Sequence, residues 1–149
     1  VVQISDKVFV PNRGMGMFKF DLNENELINI LDSNDIPYKK EQKEGVVEYF
    51  LEGGIHSVNI FFHYENSNID YLSIHTSDLL LDDISIGNVS GYDELMEVIQ
   101  EYHNKKGIEF KYTTSDMVDE LFVDFENIGL SVWFEDKKVS DICVMPTEC

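Results

Sequence analysis

The chain has 149 residues, 43% of them hydrophobic, with 11 Lys plus Arg against 29 Asp plus Glu and a net charge of −18. That length fits one compact domain, and the apolar content is ordinary for a chain that buries a core, which excludes general disorder. Charge of this sign repels nucleic acid and anionic membranes and attracts basic partners, so neither a nucleic acid nor a membrane is expected as a partner.

The opening, VVQISDKVFVPNRG, has no basic start, no long apolar run and no small-residue cleavage site, and does not read as a signal peptide. No stretch approaches the roughly 20 apolar residues of a membrane span. Cys143 falls in a strand pattern and Cys149 is the last residue. Both read as reduced thiols, which places the protein in a cytoplasm.

A short apolar stretch, Val8 to Val10, leads to Pro11 and the bend GMGM. MFKFDL then alternates as a strand, with Phe18, Phe20 and Leu22 on one side. Asn23 followed by Glu26 is a capping signal for a helix whose stripe is Leu27, Ile28, Ile30 and Leu31, ended before Pro37. Four strands are expected next, at Tyr38–Gln42, Val46–Leu51, Ile55–Tyr64 and Asn68–His75. The cycle then restarts. LLLDDISI reads as a strand, and SGYDELMEVIQEYHNKKG as a helix capped by Ser90 and stopped by Gly107, with Lys105 and Lys106 in its last turn. Strands follow at Ile108–Thr113, Leu121–Glu126, Leu130–Glu135 and Val139–Met145.

Glu24–Leu31 (ENELINIL) matches Tyr92–Ile99 (YDELMEVI) at an offset of 68 residues. The Ser-Val run beginning HSVNIFF at His56 has a counterpart in LSVWFED at Leu130. The expected fold class is α+β. It is a tandem duplication of a strand–helix–multistrand unit, in repeats of about 17–75 and 79–145, within a single domain spanning 1–149. One unit alone would struggle to bury its helix and a sheet face. Two side by side give a mainly antiparallel sheet with two helices on one face.

Period-two alternation then assigns the other face. It would carry Phe50, Phe61, Phe122 and Trp133 among Glu48, His63, Asp124, Glu126, Glu135 and Asp141. Aromatics among acids make a poor solvent face and a good protein-binding face, the rings anchoring and the acids steering. The plain alternative is that these rings pack on one another or under the N-terminal segment. Asp82, Asp83, Asp116 and Asp119 are expected to form a second acidic patch at the rim.

No catalytic motif stands out. His56, His63, His75 and His103 have no metal-ligand spacing, there is no G-x-S-x-G, and no EF-hand loop is present. Adjacent acids such as Asp82-Asp83 and Glu135-Asp136 carry little meaning in so acidic a chain. GMGM precedes a strand, not a helix, and reads as a tight bend, not a phosphate cradle. No enzyme activity, metal or cofactor is expected.

The helix-plus-sheet repeat is similar in architecture to the beta-lactamase inhibitory proteins, which present an open sheet face to a protein partner. The opening VPNRGMGMFKFDLNENELINIL and the closing IGLSVWFEDKKVSDICVMP resemble small bacterial proteins encoded beside polymorphic or contact-dependent growth inhibition toxins. Those proteins often open with a Gly-rich turn, a strand and a helix, and close with an acidic turn and a final strand. The resemblance implies an immunity protein that binds and neutralises a basic toxin domain, often a nuclease, without turnover. A nucleic-acid mimic that inhibits a DNA-binding protein is a variant of this reading, and two others remain: a scaffolding module whose charge serves solubility, and a small enzyme or ligand-binding domain using the His63 and His75 side of the sheet.

Overall fold

The computed structural model describes residues 8–51, 59–63, 68–74, 79–117 and 120–147; the side chains of residues 59–63, 68, 74 and 117 lie outside that description. Three short strands open the described chain: β1 (Val8–Val10), β2 (Gly14–Met15) and β3 (Phe18–Lys19). The strand expected through MFKFDL is reduced to Phe18–Lys19, because the chain doubles back to pair β2 with both neighbours. Phe9, Met15 and Phe18 are thereby buried.

Helix α1 (Glu24–Ser33) begins as its sequence dictates. Glu26 N donates to Asn23 Oδ1 at 2.8 Å, and Asn23 N donates back to Glu26 Oε1 at 3.1 Å, so two orphan amides of the first turn are satisfied. Leu27 and Leu31 are fully buried one turn apart, with Ile28 and Ile30 packed at the margin. Burial of each such side chain contributes about 1.5–3 kcal/mol.

A four-strand meander follows: β4 (Tyr38–Lys43), β5 (Val46–Leu51), β6 (Asn59–His63) and β7 (Asn68–Ile74). The single strand expected from LLLDDISI is instead a hairpin, β8 (Leu80–Leu81) and β9 (Ile84–Ser85). It breaks at Asp82, whose φ of 54° lies in the left-handed region that Asp tolerates in tight turns. Helix α2 (Tyr92–Lys106) comes next. Its N-cap is Gly91 and not Ser90; the Ser90 amide and hydroxyl both donate to the Glu94 carboxylate.

The last strands are β10 (Thr113–Met117), β11 (Glu120–Phe125), β12 (Leu130–Glu135) and β13 (Lys138–Val144). A strand was expected at Ile108–Thr113, but β10 only starts at Thr113. Phe110 packs its ring 5.2 Å from His103 and stacks 6.3 Å from Phe125, so this segment closes the end of α2 and forms no ladder.

The fold is α+β and mostly antiparallel. Eight strands form one antiparallel sheet in the order β10-β11-β12-β13-β7-β6-β5-β4. A small sheet, β3-β2-β1-β8-β9, is joined by the parallel pair β1–β8. Each half supplies one helix and one meander, and the meanders meet through their last strands, β7 and β13. The buried positions of the helices keep the offset read in the sequence, Leu27 and Leu31 in α1 against Leu95 and Ile99 in α2.

Both helices lie on the same face of the large sheet. The Glu24 carboxylate of α1 accepts from the Tyr49 hydroxyl on β5, and Tyr92 of α2 packs edge-on to Phe134 on β12. The register Tyr49–Ile60–Leu72–Val144–Leu130 puts Tyr49 and Phe134 on one side. Val47, Leu51, Leu72, Val123, Phe125, Leu130, Val132 and Val144 share that side and form one core with the helices and the small sheet.

Candidate functional site

The opposite face of the large sheet carries no helix among the described residues. Its centre is defined by register. Asp124, Ser131, Cys143, Ser73 and Phe50 fall on one row across the strands, with Asn59 between the last two. A second row runs Ser115, Phe122, Trp133, Asp141. Phe122 and Trp133 are half-buried and in contact, ring centroids 4.6 Å apart at 43°. An aromatic pair in this range adds about 0.5–1.5 kcal/mol beyond its buried area. Asp124 is fixed by the Ser131 hydroxyl, which donates to Oδ1 at 3.0 Å. Asp141 sits directly across from Trp133, beside a bulge where the Ser140 hydroxyl donates to the Trp133 carbonyl at 3.2 Å. The structure therefore brings together Phe122, Asp124, Trp133 and Asp141 as expected.

Of the remaining expected residues, Glu126 and Glu135 lie at the ends of this face, two residues beyond Asp124 and Trp133, and the other four lie on distant strands. Glu48 and Phe50 lie on β5, four strands from Trp133, about 19 Å at the usual strand spacing. They are half-buried. Burial and the nearby Glu41 carboxylate raise the Glu48 pKa. Phe61 and His63 are placed on β6, Phe61 in register between Glu48 and Tyr71, and their side chains lie outside the described residues. Glu126 falls just past the end of β11 and forms an ion pair with Lys111 at 3.4 Å. Glu135 ends β12, exposed and in register with Lys138. What was expected as one patch is two, separated by a small polar strip.

That strip was not read from the sequence. Ser73, Ser131 and Cys143 form it, with Tyr71 beside Phe61. The bulge between Phe61 and Phe62 shifts β7 by one residue at Asp70, so simple alternation along Asn68–Ile74 fails. Cys143 is 8% exposed and unbridged. Burial, reinforced by Asp141 and opposed by a hydrogen bond with Ser73, pushes its thiol up to about 11.

A second feature is a cleft of about 630 Å³ at the start of α2, walled by Tyr92, Leu121 and Phe134. Asp93, Glu94, Asp116, Glu120 and Asp136 line it, with Lys137 the one cation among the described residues. Tyr92 in its wall has a raised pKa through burial and through Tyr112, which hydrogen-bonds to it. This cleft corrects the expected second acidic patch. Asp116 belongs here, while Asp82 and Asp83 lie in the β8–β9 turn beside the other end of α2, facing Lys106 at 3.6 Å and Lys105 at 3.8 Å. The length of a 15-residue helix, about 22 Å, separates the two. Asp119 lies outside the described residues.

Among the described residues no group of three or more His, Cys, Asp or Glu could hold a metal ion, and no helix is long and apolar enough to cross a membrane. His56 and His75 lie outside the described residues. His103 is fully buried; its Nδ1–H donates to the Ile99 carbonyl at 2.8 Å. No protein-family model, curated protein or solved structure matches the chain.

Proposed function

We propose that this is an acidic immunity or inhibitor protein of a bacterial cytoplasm, which binds a basic toxin domain and blocks it by occlusion, without catalysis. A nuclease is the toxin class that fits best, because a surface built to hold phosphates attracts carboxylates. The observation that carries the reading is the Phe122–Trp133 pair, 4.6 Å apart on a face that carries no helix among the described residues and bordered by Asp124 and Asp141, in a chain of net charge −18. Aromatic anchors ringed by charge supply affinity and steering together. The small polar strip of Ser73, Ser131 and Cys143 leaves the anchors standing beside a shallow surface.

The test is to search the genes adjacent to this one for a basic toxin domain and to co-express that domain with the protein. The wild type is expected to restore growth and to co-purify with the toxin, and the double variant Phe122→Ala/Trp133→Ala to lose both while remaining folded. No protection and no complex with the wild type would sink the reading. A second reading, a non-catalytic ligand-binding or scaffolding module, is favoured by the cleft at the start of α2. A small molecule retained there through purification would support it.

A further inference from the structure

Two strands end the large sheet, and they are built differently. The β4 edge reads YKKEQK, with Lys39, Lys40 and Lys43 along it, and Lys40 is held at 2.7 Å by Glu24. Lysines along an edge discourage the addition of another strand, and they repel a basic one. The β10 edge reads TTSDM and has no lysine or arginine. Thr113, Thr114, Ser115 and Asp116 are all exposed, and among the described residues nothing pairs with β10 on its outer side. Threonines favour the extended backbone, so this edge offers amides and carbonyls already arranged for pairing.

The two faces of β10 lead to the two features described above. Ser115 is in register with Phe122 and, beyond it, Trp133. Asp116 is in register with Leu121, and both line the acidic cleft with Glu120. Side chains of a strand alternate between faces. A strand laid against β10 would therefore direct one side chain over the small Ser115 toward the Phe122–Trp133 pair, and the next toward Asp116 and the cleft.

We propose that the β10 edge docks an extended basic segment of the partner protein by strand addition, with apolar or aromatic residues on the Trp133 side and Lys or Arg on the cleft side. This rests on the reading of the protein as a binder of a basic partner and names the part of the surface that makes the backbone contacts. Main-chain hydrogen bonds supply affinity in this mode, and the alternating side chains supply specificity. The sheet would grow from one end only, because the lysines of β4 close the other.

The probe is a short synthetic peptide of alternating lysine and valine with capped ends, and a twin carrying N-methyl groups on alternate amides. Amide hydrogen exchange is followed over 113–117 and over 38–43, and affinity through the fluorescence of Trp133. Expected are slowed exchange over 113–117 only, binding weakened about tenfold or more in the N-methylated twin, and weaker low-salt binding to an Asp116→Asn/Glu120→Gln variant. Equal binding of both peptides, protection on β4, or no binding at all overturns the strand-addition proposal. None of these bears on growth protection by the whole protein, which alone decides the underlying reading.

Discussion

Ser73 and Cys143 stand opposite each other where the two meanders meet, and the ladder is symmetric about them: Leu72 faces Val144 on one side and Ile142 faces Ile74 on the other. Each half thus covers the inner edge of the other's meander, and neither meander alone would satisfy those backbone groups. The pair also sits at the middle of the face without a helix, and there the Ser73 hydroxyl is hydrogen-bonded to the thiol.

Stability should fall at alkaline pH through this thiol. In the folded chain burial moves it from the ordinary 9 to about 11. The unfolded chain therefore gives up its proton first as pH rises. The contribution is complete below pH 9 and is lost as pH climbs to about 11, a change of about 2–3 kcal/mol. Tyr71 shifts in the same sense, by burial first and then by Cys143 and Glu48. Urea unfolding at about pH 7.5 and about pH 10.5 is expected to show this loss, and Cys143→Ala to reduce it. An identical pH slope in the variant would remove Cys143 as its source.

Gly107 and Gly129 share a φ of 68° but not their surroundings. At Gly107 a Cβ would meet open space, whereas at Gly129 it would lie 2.0 Å from the Met145 carbonyl oxygen. Gly129 O also accepts from Met145 N at 2.9 Å, which locks the two segments together. Gly107→Ala is expected to cost about 1 kcal/mol, the usual left-handed penalty. Gly129→Ala should cost at least about 2 kcal/mol more, because backbone must move. Equal melting temperatures for the two variants would show that the approach relaxes freely.

The elements that were legible in the sequence are those where local chemistry and tertiary packing agree. Asn23 and Glu26 announce α1, and Val46–Leu51 and Leu130–Glu135 match their strands end to end. The failures lie where a distant contact overrides local pattern. Phe110 alternates like a strand residue but is recruited by His103 and Phe125, which delays β10. Ser90 has the right side chain for a cap, yet Glu94 captures it. On the candidate face, alternation placed Phe122, Asp124, Trp133 and Asp141 correctly. It could not show how many strands separate them from Phe50, because strand order depends on the β7–β13 junction. The cleft at α2 was invisible for the same reason, since its acids come from four separate segments.

His103→Phe should leave the fold intact. The imidazole is fully buried, its ring 5.2 Å from Phe110 and 6.5 Å from Phe125, and its Nε2 has no hydrogen-bond partner among the described residues. Phenylalanine would forfeit the bond to the Ile99 carbonyl but would also remove an unpaired buried nitrogen, and the two effects are each about 1 kcal/mol. The net change in unfolding free energy is expected within about 1 kcal/mol of zero, against about 3–5 kcal/mol for Phe125→Ala in the same cluster. A loss from His103→Phe as large as that from Phe125→Ala would mean that Nε2 has a partner the apolar surroundings conceal.

Trp133 is the single tryptophan of the chain, so its fluorescence reports on the candidate face alone. Half-buried against Phe122, it should shift its emission to shorter wavelength when a partner covers it. Followed this way, association with a basic partner is expected to slow as salt rises through the physiological range. The Debye length contracts from about 10 Å at 0.1 M to about 3 Å at 1 M, and long-range steering is lost. Dissociation should change far less. Phe122→Ala tests the other term. It keeps the charge and the single fluorophore but removes the ring that holds Trp133 in place, and an anchor of this kind is worth about 2 kcal/mol or more. The expected result is faster dissociation, with association and its salt slope unchanged. A variant that loses association rate instead would make Phe122 part of the encounter and not of the anchored complex. An emission spectrum indifferent to partner would place the binding surface away from this face.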